Sequence, residues 1–419
     1  MSRRDRHWGM AAMRHIVTSL LILLPGLAQA GIVFQPHLSE YSKLPPGQYT
    51  ETTFVWTEIK EIYDPSGKEI RVGTPFVPAG ASTDAGLGLF KSLWIGNIFR
   101  DTNVPYLKDH DQFCRLIAVA GYQQNTEQIA ARSRLFGLQP GSSGLGDLFG
   151  LCGVYTHEHL WGPVKANGLF AATVKAPVGR YEEDAILNTG TNYWTVIPQF
   201  AFHSEIFGRL YVDGTFAYQW NDDNDEPSAG GLTPTRISDW FNMEVNFAYK
   251  FSEHWFADLG YSWRRSVGPN HYDQLTVNFE EQPLSPQSAC DNTNNNSRPF
   301  TGIDTLITQE QCDNAFSDQF YLSPQSKPYQ DRGVKGKAIT AGFYYIYRTS
   351  SVLNFRMFYP IEGRGGGFTA TYNVCTEQPC TEDNAASTVD TNLLAVQEAG
   401  AVSASPFFEL RFVHLFWAP

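Results

Sequence analysis

The chain has 419 residues, with 31 Lys and Arg against 43 Asp and Glu and a formal net charge of −12. Aromatic residues make up 14% of it and charged residues only 18%. The acidic balance excludes nucleic-acid binding, which needs basic surface, and no run of ~18 apolar residues predicts a helical membrane span.

The first predicted element is an export signal. Arg3, Arg4, Arg6 and Arg14 precede the apolar run Ile16–Leu27 and the small-x-small tripeptide Ala28-Gln29-Ala30. That is the pattern of a secretory leader cut after Ala30. The mature chain then keeps 27 basic and 42 acidic residues, a net charge of −15.

Residues 31–48 are irregular and Pro-rich. Thr52–Tyr63 and Lys68–Val77 read as strands around the turn Asp64-Pro65-Ser66-Gly67. Ala85–Phe99 is ambiguous between a strand and a short helix. Phe113–Tyr122 and Phe149–His159 read as strands separated by a polar loop.

From Gly168 the period-two alternation expected of strands is clean. Phe170, Ala172 and Val174 share a face, as do Trp194, Val196, Phe200 and Phe202. Leu210, Val212, Phe216, Tyr218 and Trp220 oppose Arg209, Asp213, Thr215 and Gln219. Asp239–Arg265 forms the clearest hairpin, turning at Ser252-Glu253. Phe241, Met243, Val245, Phe247 and Tyr249 oppose Asn242, Glu244, Asn246 and Lys250; Trp255, Ala257, Leu259, Tyr261 and Trp263 oppose His254, Asp258, Ser262 and Arg264. Each arm is close to the ~9–11 residues that a tilted strand needs to cross a bilayer. After a long polar insertion, Ile339–Tyr347, Leu353–Tyr359 and Phe408–Phe416 repeat the pattern.

These segments predict an all-β fold, a transmembrane antiparallel β-barrel of about 12 strands with long extracellular loops. It occupies 31–419 as one domain, with its longest loops at 266–335 and 362–406. Connections alternate long and short along the chain, as in outer-membrane barrels with short periplasmic turns. Trp194, Tyr218, Trp220, Trp240, Trp255, Trp263 and Tyr359 fall near strand ends, where interfacial girdles sit. Thirteen strand candidates are present and bacterial barrels have even numbers. Omitting Ala85–Phe99 leaves twelve, and fourteen would need another strand within 31–50.

On the polar parity, the lumen candidates are Arg209, Asp213, Gln219, Glu244, Asn246, Lys250, Asp258, Arg264, Asn354, Arg356, Glu409 and Arg411. Such mixed charge either sets the field of a pore or pairs to fill a closed lumen. The six cysteines, Cys114, Cys152, Cys290, Cys312, Cys375 and Cys380, suit disulfides in an exported chain. Cys290/Cys312 and Cys375/Cys380 are the economical local pairs. No metal or other cofactor is expected. His157 and His159 share a strand parity, which suits a wet interior face better than a metal site lacking a third ligand. His254 and Ser262 are roughly 27 Å apart along one strand at ~3.4 Å per residue, too far for a catalytic pair. The acidic run Asp222–Glu226 lacks EF-hand spacing and reads as a solvated external loop.

The stretch from Gly144 to Asn270 carries Gly144-Leu145-Gly146-Asp147-Leu148, Lys175-Ala176-Pro177-Val178-Gly179-Arg180-Tyr181, Asn188-Thr189-Gly190-Thr191-Asn192-Tyr193-Trp194 and Trp220-Asn221-Asp222-Asp223-Asn224. In these it resembles the transporter-like family of outer-membrane proteins named for a meta-pathway of phenol degradation. Leu44-Pro45-Pro46-Gly47-Gln48-Tyr49 resembles that family's mature N-terminus. The cysteine-bearing insertions and the trailing Trp417-Ala418-Pro419 depart from it. The resemblance implies a barrel that passes small hydrophobic or aromatic compounds, seated in outer-membrane lipid and lipopolysaccharide. It also implies mainly structural roles for Pro177, Gly179, Gly146 and Asp147. A non-transporting structural or receptor barrel is the alternative reading, and an outer-membrane hydrolase a third.

Overall fold

The computed structural model describes residues 45–417 apart from 72–81, 100, 102–103, 127–129, 131–137, 274, 276–320, 349–350, 376 and 395–401. The predicted leader and the Cys290/Cys312 pair lie outside the described residues. Twelve strands of the described residues form a closed antiparallel barrel. They are β1 (Gly47–Ile59), β2 (Thr83–Gly96), β3 (Gln112–Asn125), β4 (Leu148–Tyr155), β5 (Val164–Ala176) and β6 (Thr195–Ile206). The chain continues through β7 (Leu210–Asn221), β8 (Trp240–Lys250), β9 (Trp255–Ser266), β10 (Lys335–Arg348), β11 (Ser351–Arg364) and β12 (Phe407–Trp417). Each strand pairs with the next, and β12 closes on β1 from Gln48–Trp417 to Trp56–Phe408. Closure leaves no unpaired sheet edge to face lipid. Two extra strands join this sheet: Gly141–Leu145 lies on β3, and His159–Trp161 lies on β5.

The turns at 207–209 and 251–254 mark the periplasmic end, where Gly47 and Trp417 also lie, and the long connections emerge at the other end. Outward faces are greasy. Trp255, Phe251 and Tyr347 are exposed near the periplasmic end; Trp194, Trp220 and Tyr359 are exposed near the external end. Between them, rings run across the wall in contact, with centroids 4.7 Å apart for Trp255–Tyr345, 5.5 Å for Phe343–Phe355 and 5.8 Å for Phe408–Trp56. Trp240 departs from the predicted girdle. It shares the parity of Asn242 and Glu244, faces inward and is buried.

Two strand assignments need correction. Thr83–Gly96 is a full barrel strand, whereas the described part of the second predicted strand, Glu69–Arg71, pairs with Glu61–Tyr63 outside the barrel, its remainder lying outside the described residues. The ambiguity at β2 has a physical cause. Its inward positions Leu87, Leu89, Leu93 and Ile95 are apolar, and its outward ones include Phe90 and Trp94, so alternation is hidden.

Above the barrel the loops are ordered by local chemistry. Asp64 Oδ1 accepts the backbone N–H groups of Ser66 and Lys68, both at 2.8 Å, and Gly67 takes φ 85° to finish the turn. Burial and the neighbouring Glu69 push the Tyr63 hydroxyl up to about 12. A three-stranded sheet of Tyr321–Pro324, Gly367–Cys375 and Ser387–Leu394 carries the Cys375–Cys380 disulfide at its edge. The Cys114–Cys152 disulfide joins directly opposed residues of β3 and β4, with Cα atoms 4.1 Å apart.

Candidate functional site: a charged layer across the lumen

The inward faces of five adjacent strands share one order from the periplasmic end outward: apolar, charged, apolar. On β1 it is Tyr49, Glu51, Val55; on β2, Leu93, Lys91, Leu89; on β3, Phe113, Arg115, Ile117. On β11 it is Val352, Arg356, Phe358, and on β12 it is Val413, then Arg411 and Glu409, then Phe407. The register sets these strands side by side, so the positions stack into a charged layer between two apolar ones.

The layer is held by ion pairs of nearly complete burial. Glu51 Oε1 accepts from Lys91 Nζ at 2.7 Å and from Thr53 Oγ1 at 2.9 Å, and lies 2.9 Å from Arg411 Nε. Arg356 reaches Asp258 at 2.7 Å, with both side chains 0% exposed, and donates to the Tyr344 hydroxyl at 3.0 Å. Across the β11–β12 register Glu409 stands directly opposite Arg356, and Arg411 opposite Asn354. Asn246 donates to Glu244 at 2.7 Å, and His203 pairs with Asp213 at 2.9 Å. Buried polar pairs and triads thus recur round the interior from β6 to β2.

Glycine makes the longest of these pairs feasible. Arg356 on β11 and Asp258 on β9 are separated by β10, where Gly342 stands in register with both. A Cβ on Gly342 would lie 2.6 Å from Arg356 Cγ, 2.8 Å from Asp258 Oδ1 and 2.5 Å from the Phe355 carbonyl oxygen. Gly260 likewise leaves room for Asn246 and Thr340. We expect Gly342→Ala to cost about 1–3 kcal/mol through overpacking, read as a lowered urea midpoint in detergent micelles; an unchanged midpoint would contradict the close approach.

The predicted lumen residues distribute as follows. Asp213, Glu244, Asn246, Asp258, Asn354, Arg356, Glu409 and Arg411 are buried in or beside the charged layer. Arg264 is buried farther out, its guanidinium 3.3 Å from the Trp240 ring centroid and 3.5 Å from Gln219. Lys250 lies at the periplasmic end near Phe256, and Arg209 sits exposed on the β6–β7 turn. His157 and His159 are also outside the lumen, on the β4–β5 turn. There the His157 ring lies tilted against His110 with centroids 4.1 Å apart, and His159 stacks on Trp161 at 5.6 Å. Sequence reasoning missed Glu51, Lys91 and Arg115. For Lys91 and Arg115 the signal was a lone charge two residues from an apolar neighbour on each side, as in Leu89-x-Lys91-x-Leu93 and Phe113-x-Arg115-x-Ile117; Glu51, between Tyr49 and Thr53, lacks it.

A second cluster lies at the external rim and gathers the motif segments 144–148, 175–181 and 188–194. Asp147 accepts from the Gly179 N–H at 3.1 Å, the Thr191 N–H at 3.1 Å and the Thr191 hydroxyl at 2.7 Å. Its carboxylate is 3.8 Å from Lys175 Nζ, which lies 3.7 Å from the Tyr193 ring centroid. Arg180 N–H donates to the Leu145 carbonyl, and Gly190 N–H to the Arg180 carbonyl, both at 2.8 Å. Gly179 and Gly190 touch backbone to backbone: a Cβ on Gly179 would lie 2.7 Å from the Gly146 carbonyl carbon and 2.8 Å from Gly190 Cα. The asparagine loop joins through Asn224, which donates to the Tyr181 hydroxyl and accepts from Asn192, both at 3.1 Å. The four motifs form a single structural knot.

A closed twelve-stranded barrel with a lipid-facing aromatic wall and a polar layer inside defines a β-barrel of the outer-membrane type. The sequence profile of the family described as "Putative MetA-pathway of phenol degradation" matches residues 73–282, half of the chain, and the protein belongs to that family. An outer membrane channel from Pseudomonas putida F1 has the same fold. It is 12% identical, with a TM-score of 0.55, over 91% of this chain and all of that one. The TodX monoaromatic hydrocarbon channel (7% identity, TM-score 0.34, 94% of this chain and 97% of that one) and a FadL homologue from Pseudomonas aeruginosa (9%, 0.32, 94% and 100%) are more distant barrels. No curated protein matches the chain by sequence.

Proposed function

We propose that the protein is a channel, not an enzyme, that admits small hydrophobic compounds, aromatic ones among them, through the outer membrane. One observation carries this reading. Directly external to the charged layer, the inward faces of β1 to β3, β11 and β12 carry an apolar cluster. Val55, Leu87, Leu89, Ile117, Val119, Phe358 and Phe407 form one buried cluster, with the Phe358 and Phe407 rings stacked at 4.4 Å. A porin for water-soluble solutes has a polar interior; a greasy one favours apolar solutes. The membership in a phenol-degradation family and the fold shared with an outer membrane channel support the same reading.

The burial of the charged layer favours a second reading, a barrel that transports nothing and acts as a structural or receptor protein. Uptake of a radiolabelled aromatic hydrocarbon by intact cells with a lipopolysaccharide leaflet separates the two. Cells making the protein should accumulate label several-fold faster than vector controls. Equal rates, with the folded protein present in the outer membrane, would overturn the channel reading.

A further inference from the structure

The charges inside this barrel are not arranged as charges lining a pore. Pore-wall charges face water and set a field for passing ions. Here the side chains of Arg356, Asp258, Arg411, Glu51 and Lys91 are 0–2% exposed. Arg356 also passes over Gly342 to meet a carboxylate two strands away, and so lies across the wall of β10. On the side of β11, β12 and β1 to β3 the apolar cluster of Val55, Leu87 and Phe407 covers the layer externally, and that of Tyr49, Leu93 and Phe113 covers it from the periplasmic side; on β9 the buried positions external to Asp258 are Ser262 and Arg264. An ion moving along the axis would have to separate buried pairs already matched to each other.

We propose that this layer is an electrostatic seal that closes the lumen to ions and water-soluble solutes, with the Arg356–Asp258 pair and the Lys91–Glu51–Arg411 triad as its determinants. It rests on the channel reading only for what it selects against; the closure itself follows from the burial and matching of the pairs. The seal gives the outer membrane a path for apolar solutes that leaks no salts. Its closure resides in the matching of each buried charge by an opposite one.

The test is conductance of the purified full-length protein in planar bilayers, with heat-modifiable gel migration as the check for a folded barrel. The wild type should stay near the bare-membrane baseline. Asp258→Ala should raise the time-averaged current at least tenfold, and Asp258→Glu, which keeps the charge that meets Arg356, should stay near baseline. Should Asp258→Ala fail to fold, Glu51→Gln takes its place. It keeps the side-chain volume and removes the charge that holds Lys91 and Arg411. A folded wild type that conducts like an open pore overturns the proposal, as does an Asp258→Ala or Glu51→Gln variant that folds and stays at the baseline. The uptake assay reads separately: a barrel that blocks ions and also fails to admit the hydrocarbon defeats the channel reading and leaves the seal standing.

Discussion

Asp258→Ala is expected to destabilise the folded barrel by about 3 kcal/mol, the lower end of the range for breaking a buried pair by removing one partner. The loss arises because Arg356 stays buried with its nearest counter-charge gone, 2.7 Å away in the native protein. Glu409, directly opposite Arg356 on β12, leaves a carboxylate nearby, which keeps the cost from rising further. The double substitution Asp258→Leu with Arg356→Met should behave differently. It removes both desolvated charges and fills the space with apolar volume, so its stability should fall within about 1 kcal/mol of wild type or above it. Urea unfolding in micelles, followed by tryptophan fluorescence, measures both. If the double variant proves as unstable as the single one, the pair contributes net stability and not only closure, and the desolvation argument fails. The double variant also separates stability from sealing, since it should fold well yet have no charges at these two positions.

Much of the barrel was legible from side-chain parity. In β6 to β9 the outward positions are mainly apolar and the inward ones mainly polar, so Phe241–Tyr249 and Asn242–Lys250 separate by counting in twos. The early strands resist this because their interior is greasy too. In β2, Leu87 faces in and Phe90 faces out, and apolar–apolar alternation carries no signal. For that reason Lys91 looked incidental although it is among the most buried cations of the described residues. Loop lengths gave the polarity of the barrel but not the contacts between strands. The Cys114–Cys152 bond, 38 residues apart, depends on the β3–β4 register, whereas Cys375–Cys380, five apart, could be guessed locally. The charged layer itself was least legible. It is a property of tilt and register, which bring Asp258 from β9, Arg356 from β11 and Glu51 from β1 into one interior layer. No window of sequence contains them together.

The rim knot makes the second large prediction. Asp147→Ala should cost about 3 kcal/mol, from the loss of hydrogen bonds to a charged acceptor at about 1.5–3 kcal/mol each, partly offset by water entering the rim. The bonds at stake are those from Gly179 N–H and Thr191, together with the pairing to the buried Lys175. Because these contacts join segments that are distant in sequence, the damage should be local: limited proteolysis should cut within 177–194 at protease levels that leave the wild type intact. Asp147→Asn keeps an acceptor of the same shape and should lie between the two. The charged layer shares none of these residues, so Asp147→Ala should leave the bilayer conductance at the wild-type baseline. A variant that loses the rim and also leaks ions would show that the knot holds the seal in place from above, and that the family's motif residues act on permeation as well as on folding.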